Sequence, residues 1–350
     1  MADARVDDGS TTRNKRGEWV PRILQKGQPF TWPIQPKKLL SYFFGFPGFM
    51  WPFGVVAYYG LATLTWQFLQ PGSDNLDNYL QLQAWWILPM WARNVAMLVL
   101  VAGTFHFVLY RRRVQGTRFK YNARWQSTSS KAFLFRSQVW DNVFWSVISG
   151  GTFWTVYEAL SLWAYAHGWF PMITLRSNPV WFLLFFAVLP FWHDLHFYWA
   201  HRIFHWKPLY RYAHYLHHRN TNVGPWSGLS MHPIEHLLYF TRWIVLFVFP
   251  SHPIHMLYLM QRPALNPAIG HTGFDQLVLK ADGDADSDTE KRLKIDSFFH
   301  YLHHRYFECN YGTNALPLDR WFGSWHDGSP ESYARMRGKR ELPPEADAVP

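Results

Sequence analysis

A chain of 350 residues with 19% aromatic and only 17% charged side chains has the make-up of a bilayer protein rather than an ordinary soluble domain. Its single cysteine, Cys309, excludes a disulfide framework and any multi-cysteine metal site. The net charge of +10 does not point to nucleic acid, because the basic residues flank apolar runs, the placement that orients a membrane protein.

Met1 to Lys38 is polar and basic and lacks the apolar stretch of a cleavable signal peptide. Leu39 to Ser73 carries no charge, and Gly45 to Leu69 within it is long enough to cross a bilayer, since about 20 apolar residues span the hydrocarbon. A second run, Leu82 to Tyr110, is broken only by Arg93 and ends in Arg111-Arg112-Arg113. Arg111 to Arg136 then holds eight Lys and Arg and no acid, whereas Gln70 to Gln81 holds Asp74 and Asp77 and no base. The positive-inside rule therefore puts the N-terminus and residues 111–136 in the cytoplasm. A third run, Asn142 to Leu175, contains Glu158, and a fourth, Ser177 to Trp192, returns the chain to the cytoplasmic side at His193. Arg93 and Glu158 are costly in lipid and are expected to face the bundle interior.

From there the sequence is dominated by histidine. His201-x-x-x-His205 and His214-x-x-His217-His218 are followed far downstream by His300-x-x-His303-His304. With 18 His in the chain, chance supplies the HxxHH spacing only about 0.05 times. Residues three and four apart share a helix face, so these clusters present imidazoles as metal-binding ridges. Eight imidazoles exceed what one four-coordinate ion needs and argue for two metals, and imidazole alone does not choose among Zn, Cu, Fe and Ni. His236 makes a further HxxxH pair with His232. Asp194 precedes His201 and His205 by near-whole numbers of turns at about 3.6 residues each. It is therefore expected to share their face and to accept an imidazole N–H.

Leu237 to Met260 is apolar apart from Arg242, His252 and His255, but is interrupted by Pro250-Ser-His-Pro253. A hairpin that dips in and returns keeps all the histidine clusters on one side, whereas a single kinked span separates them; the metal hypothesis requires the hairpin, with its tip buried in protein or near the far interface. The acidic stretch Asp282 to Asp288 lacks the glycine and terminal Glu of a calcium loop at the required places and reads as solvated. These readings divide the chain into a basic segment 1–38, spans one to three in 39–175 with the cytoplasmic loop 111–136, a histidine-rich unit 176–324 containing a re-entrant hairpin 237–260, and a tail 325–350 that is loosely ordered after Ser329. The fold class is an all-α integral membrane helical bundle with a cytoplasmic, histidine-rich di-metal cap.

The ordered motifs Asp194-x-x-x-Tyr198-Trp199-x-His201-Arg202-x-x-His205, His214-x-x-His217-His218, His232-Pro233-x-Glu235, His271-Thr-Gly-Phe-Asp275, His300-x-x-His303-His304, Asn310-Tyr-Gly312 and Asp319-x-x-Phe322-Gly323 resemble the fatty acid hydroxylase / sterol desaturase superfamily over roughly residues 175–324. Leu318 and Phe274 stand where that family often has Trp and Tyr. The resemblance implies a membrane oxygenase with two His-ligated iron ions that uses O2 and two electrons to hydroxylate or desaturate a lipid, fatty acyl chain or sterol. It adds His232 and His271 to the ligand candidates, giving His201, His205, His214, His217, His218, His232, His236, His271, His300, His303 and His304, with Asp194 behind them. No His-Pro-Gly-Gly heme motif is present, so the electron donor is expected to be a separate cytochrome b5-like or ferredoxin-type protein. A divalent-metal transporter, or a non-catalytic metal- or lipid-binding membrane protein, is the alternative; a transporter places its ligands mid-span, whereas these flank spans on one side. Without a transit peptide or retrieval signal, a bacterial inner membrane is favoured over endoplasmic reticulum.

Overall fold

The computed structural model describes residues 13, 17–21, 30, 33–46, 49, 50, 54–280, 291–295, 297–313 and 316–337. The acidic stretch 282–288 and residues after 337 lie outside them. The fold is mostly helical, with one small sheet.

Helix α1 (Pro36–Phe44) buries no side chain. Helix α2 (Val55–Leu64) continues as a wider π turn to Leu69. At 1.5 Å per residue this stretch is about 22 Å long, short of the roughly 30 Å hydrocarbon that the first apolar run was expected to cross. Helix α3 (Ala84–His106) runs on to Arg111, and α4 (Gln138–Phe144) is joined by a π segment, Trp145–Gly151, to α5 (Thr152–Ala166). Helix α6 (Pro179–Phe204) starts at a proline, with the Asn178 side chain accepting from Trp181 N at 3.1 Å. Two helices among the described residues are long and apolar enough to cross a membrane, Ala84–Arg111 and Pro179–Phe204. The expected third crossing corresponds to the unbroken α4–α5 helix, which is not one of these two.

After α6 come α7 (Lys207–Leu209), a π turn Tyr210–His214 and α8 (Tyr215–His218), then a 3-10 turn, Pro225–Leu229. Helix α9 (Pro233–Tyr239) and a 3-10 segment, Thr241–Phe247, lead to a reversal at residues 248–252, and α10 (Pro253–Gly270) returns. The reversal lies beside the α5–α6 connection: Ser251 N donates to Pro171 O at 2.8 Å, and Trp181 Nε1 donates to Pro250 O at 2.8 Å. The hairpin's returning arm thus extends to Gly270, ten residues past the Met260 expected from the sequence, because Pro263 and Pro267 sit inside α10 without ending it.

Helix α10 is the core of the molecule. Fifteen of its 18 residues are buried, and it packs on α2, α3, α5 and the Pro225–Leu229 turn. Gly228 makes that last contact possible: a Cβ there would stand 2.4 Å from Pro267 O. Strands β1 (Gln276–Lys280) and β2 (Lys291–Lys294) pair antiparallel, so the fold is not purely α as expected. Helices α11 (Phe298–Tyr306), α12 (Leu318–Trp321) and α13 (Pro330–Arg337) complete the described chain. Arg93 and Glu158 turn inward and pair; Gln70 Oε1 accepts from Arg93 at 2.6 Å and Glu158 Oε2 accepts from Asn94 at 3.0 Å. Their charges are met inside the bundle.

Candidate metal centre

Nine imidazoles meet where the end of α6, the Tyr210–His218 segment, the end of α10 and α11 converge. His201, His205, His214, His218 and His303 form one group and His217, His271, His300 and His304 a second; within each, the ligand-capable nitrogens lie within 4.8 Å of one another. The groups adjoin, with ring centroids of His218 and His304 4.9 Å apart and of His300 and His303 5.6 Å apart.

Helical spacing explains how the residues divide. At about 100° per residue, i and i+4 differ by some 40° whereas i+3 and i+4 diverge by about 100°. The i, i+4 pairs His201/His205, His214/His218 and His300/His304 accordingly aim together, and the intervening His217 and His303 each aim into the other group. Each HxxHH cluster thus bridges both groups.

The anchoring of each ring fixes which nitrogen faces inward. His201 Nδ1 donates to Tyr311 O at 2.8 Å, His303 Nδ1 to Cys309 O at 2.6 Å and His217 Nδ1 to Ser230 O at 3.3 Å. A carbonyl only accepts, so these Nδ1 atoms hold the proton and Nε2 presents its lone pair. His214 Nδ1 donates to Glu235 Oε1 at 2.8 Å. The Ser227 hydroxyl donates to Gly224 O, leaving its oxygen to accept from His271 Nδ1 at 2.9 Å. The inward Nε2 atoms then crowd one another: His271 to His300 at 2.7 Å, His218 to His303 at 3.0 Å and His205 to His214 at 3.1 Å. In each pair one ring's inward nitrogen is fixed as an acceptor and the facing ring has no anchor at Nδ1 among the described residues, so it either donates an N–H across the pair or, in its other tautomer, offers a second lone pair; both ring nitrogens of His304 are buried without a protein partner. A cation would give all these nitrogens a common partner, so the donor set fits a metal in each group.

Burial supplies the required protonation state. It pushes His205 down to about 2 and holds His214, His217, His218, His271, His300, His303 and His304 below the ordinary imidazole value. Unprotonated imidazole is the form that binds metal. Burial also pushes Glu235 up to about 7, with His217 and His232 pulling the other way.

Three sequence expectations land elsewhere. His232 and His236 stand outside both groups: His232 Nδ1 accepts from Ile234 N at the start of α9, and His236 Nδ1 meets Ser149 Oγ at 2.9 Å. Their i, i+4 spacing puts them on one face of α9, but that face packs on the Trp145–Gly151 and α5 side of the bundle. Asp194 accepts no imidazole N–H; its oxygens accept from Thr313 N at 2.7 Å, Thr313 Oγ1 and Leu316 N. Asp319 does the same for the preceding residues, accepting from Tyr311 N and Gly312 N at 2.8 Å each, and burial pushes it up to about 6. Together they hold the strap whose Cys309 and Tyr311 carbonyls orient His303 and His201. The carboxylate that does meet an imidazole is Glu235, quoted in a motif but given no role. A buried acid just after an N-terminal His-Pro on a helix otherwise apolar on that side was the signal available.

The fatty acid hydroxylase family model matches residues 186–324. Over 270 residues the chain is 24% identical to a Delta(7)-sterol-C5(6)-desaturase of Nicotiana tabacum, covering 73% of this chain and 91% of that protein. It is 30% identical over 179 residues to a Delta(7)-sterol 5(6)-desaturase of Aspergillus fumigatus (45% and 50% covered). A methylsterol monooxygenase of the same fungus is 28% identical over 182 residues (49% and 54% covered). The chain thus spans about half of these fungal relatives. No solved structure matches it. The relatives are plant and fungal, which does not support the expected preference for a bacterial inner membrane. Residues 186–324, which carry all nine gathered imidazoles, are the stretch that matches the fatty acid hydroxylase family, and the relatives that the chain resembles are sterol desaturases and a methylsterol monooxygenase.

Proposed function

We propose that the chain is a membrane oxidoreductase that uses O2 and two iron ions to hydroxylate or desaturate a C–H bond of a lipid, fatty acyl chain or sterol. The observation that carries this reading is the pair of adjoining all-imidazole groups, five and four strong, with their ligand-capable nitrogens gathered inward. Unactivated C–H bonds are beyond side-chain acid–base chemistry, and iron in the two groups supplies the redox capacity that O2 activation requires. The protein's own residues do the rest. His201, His205, His214, His218 and His303 hold one ion, and His217, His271, His300 and His304 the other. Glu235, Ser227 and the carbonyls of Ser230, Cys309 and Tyr311 keep the rings in one tautomer and one orientation. Burial of nearly every ligand excludes bulk water from the reacting centre.

The electron donor is a separate redox protein of cytochrome b5 or ferredoxin type. The histidine end lies on the cytoplasmic side with the basic loop 111–136, and the catalytic unit runs over 176–324 with the 232–271 hairpin inside it. Thiol labelling of single cysteines introduced at positions 131 and 169 tests the orientation: the first is expected to react from the cytoplasmic side and the second from the opposite one.

Purified protein reconstituted with ferrous iron is expected to bind about two Fe per chain and to consume O2 only with a reductant. Lipid extracts from cells with and without the gene, grown under oxygen-18, are expected to differ by a labelled hydroxyl or by the loss of two hydrogens. Metal movement across vesicles without any lipid change overturns the assignment in favour of transport.

A further inference from the structure

Two guanidinium groups lie in the interior with no carboxylate paired to either. Arg242 is fully buried. Its Nε and Nη2 donate to Tyr239 O at 3.1 and 2.7 Å, its guanidinium lies 4.5 Å from the Tyr239 ring centroid, and its Nη1 meets His193 Nδ1. Arg262, on α10, is only 8% exposed, and its Nε and Nη1 are buried with no acceptor. Among the described residues neither arginine forms an ion pair. Asp194 is the acid within electrostatic reach of Arg262, and its oxygens are already taken by Thr313 and Leu316. His193 sits within reach of both arginines and adds no negative charge. A buried guanidinium with unfilled donors is strongly unfavourable.

We propose that Arg262, backed by Arg242, forms a buried anion site that takes the carboxylate of a single-chain lipid and so defines the substrate of the oxidation centre. The inference rests on the lipid-oxidation reading above. Arg262 precedes His271 on α10 by nine residues, about 13 Å of helix, and His193 precedes His201 on α6 by eight, about 12 Å. Between those two levels α6 presents Phe197, whose ring centroid is 6.3 Å from that of His193 and 5.1 Å from that of His201. An acid at one end, an aromatic wall along the way and the imidazole groups at the other match a fatty acid lying along α6. The carbon attacked then lies many bonds from the carboxylate. Arginine suits this role because it stays charged when buried and offers a planar array of donors to a carboxylate.

The test uses the full-length, iron-loaded protein in phosphatidylcholine nanodiscs, with nitroxide-labelled stearic acid and its methyl ester as probes and immobilisation of the label as the readout. The wild type is expected to bind the acid about tenfold more tightly than the ester, a difference of one decade in Kd. R262Q is expected to lose that preference and R262K to keep part of it, with iron content equal to wild type showing that both fold. Equal binding of acid and ester by the wild type, or an undiminished preference in R262Q, overturns the proposal. A titration of chloride against gluconate separates the sources of negative charge: a site filled by chloride alone, with no preference for the acid at low chloride, also overturns it. Iron content and O2 uptake are read on the same preparation. Two irons with O2 uptake on a neutral sterol but no acid preference sinks the anion site alone, and an acid preference without iron sinks the oxidation reading alone.

Discussion

The two imidazole groups share donor chemistry and burial but not the way they are held. In the five-membered group three rings are anchored through Nδ1 at 2.6–2.8 Å, to the Cys309 and Tyr311 carbonyls and to the Glu235 carboxylate. In the four-membered group the anchors are the Ser227 hydroxyl at 2.9 Å and a long contact from His217 to Ser230 O at 3.3 Å; His304 has none, and in the first group His218 Nδ1 is likewise without a partner. Charged and short acceptors orient a ring more firmly than a hydroxyl or a stretched bond. The anchored rings of the five-membered group are therefore held more firmly than those of the four-membered group.

Removing a ligand should break the comparison altogether. His303→Ala and His304→Ala strike one group each, and each is expected to lower bound iron from about two to about one per chain and to abolish lipid oxidation, as metal analysis and product assay will show. An unchanged iron content in either variant removes that histidine from the proposed ligand set.

Glu235→Gln sharpens the contrast next. It keeps an oxygen facing His214 Nδ1 but removes the charge, and loss of such an outer partner typically costs about 10–100-fold in metal affinity. Competitive chelation should find the weakening in one of the two bound ions only; equal weakening of both contradicts the division into groups.

Asp194→Asn acts at one remove, through the strap that carries the Cys309 and Tyr311 carbonyls. Leaving a buried N–H without its acceptor costs about 1–3 kcal/mol. A lower thermal midpoint with a smaller drop in iron affinity than for Glu235→Gln is expected, and the reverse order would show that Asp194 acts on the ligands themselves.

The smallest effect belongs to Ser227→Ala. A hydroxyl anchor is worth about 1 kcal/mol, so iron affinity at the second group should fall by less than about tenfold. A larger loss than in Glu235→Gln would invert the ranking of the two groups.

Much of this was legible from residue spacing. Eight of the nine gathered histidines stand in HxxxH or HxxHH clusters, and the reversal of the chain near Pro250 follows from keeping those clusters on one side. The misses share a cause. Asp194 lies on the helix face that spacing assigns it, but a loop from more than a hundred residues downstream reaches its oxygens first. His232 and His236 have ligand spacing, yet α9 turns that face toward Ser149 and Phe153. Of the first apolar run, the described helical part is Val55 to Leu69, about 22 Å long. Hydropathy also cannot separate α3, with five of 23 residues buried, from α10, with 15 of 18. Both are apolar, and only their neighbours differ.

Local spacing by itself pointed to imidazole ridges and to eight of the nine gathered histidines, because helix geometry dictates which side chains point together. Which ridge meets which, which carboxylate backs a ring and where Arg262 is left with unfilled donors depended on contacts between segments distant in sequence. Such contacts follow from how helices pack into one core, and no local pattern encodes them.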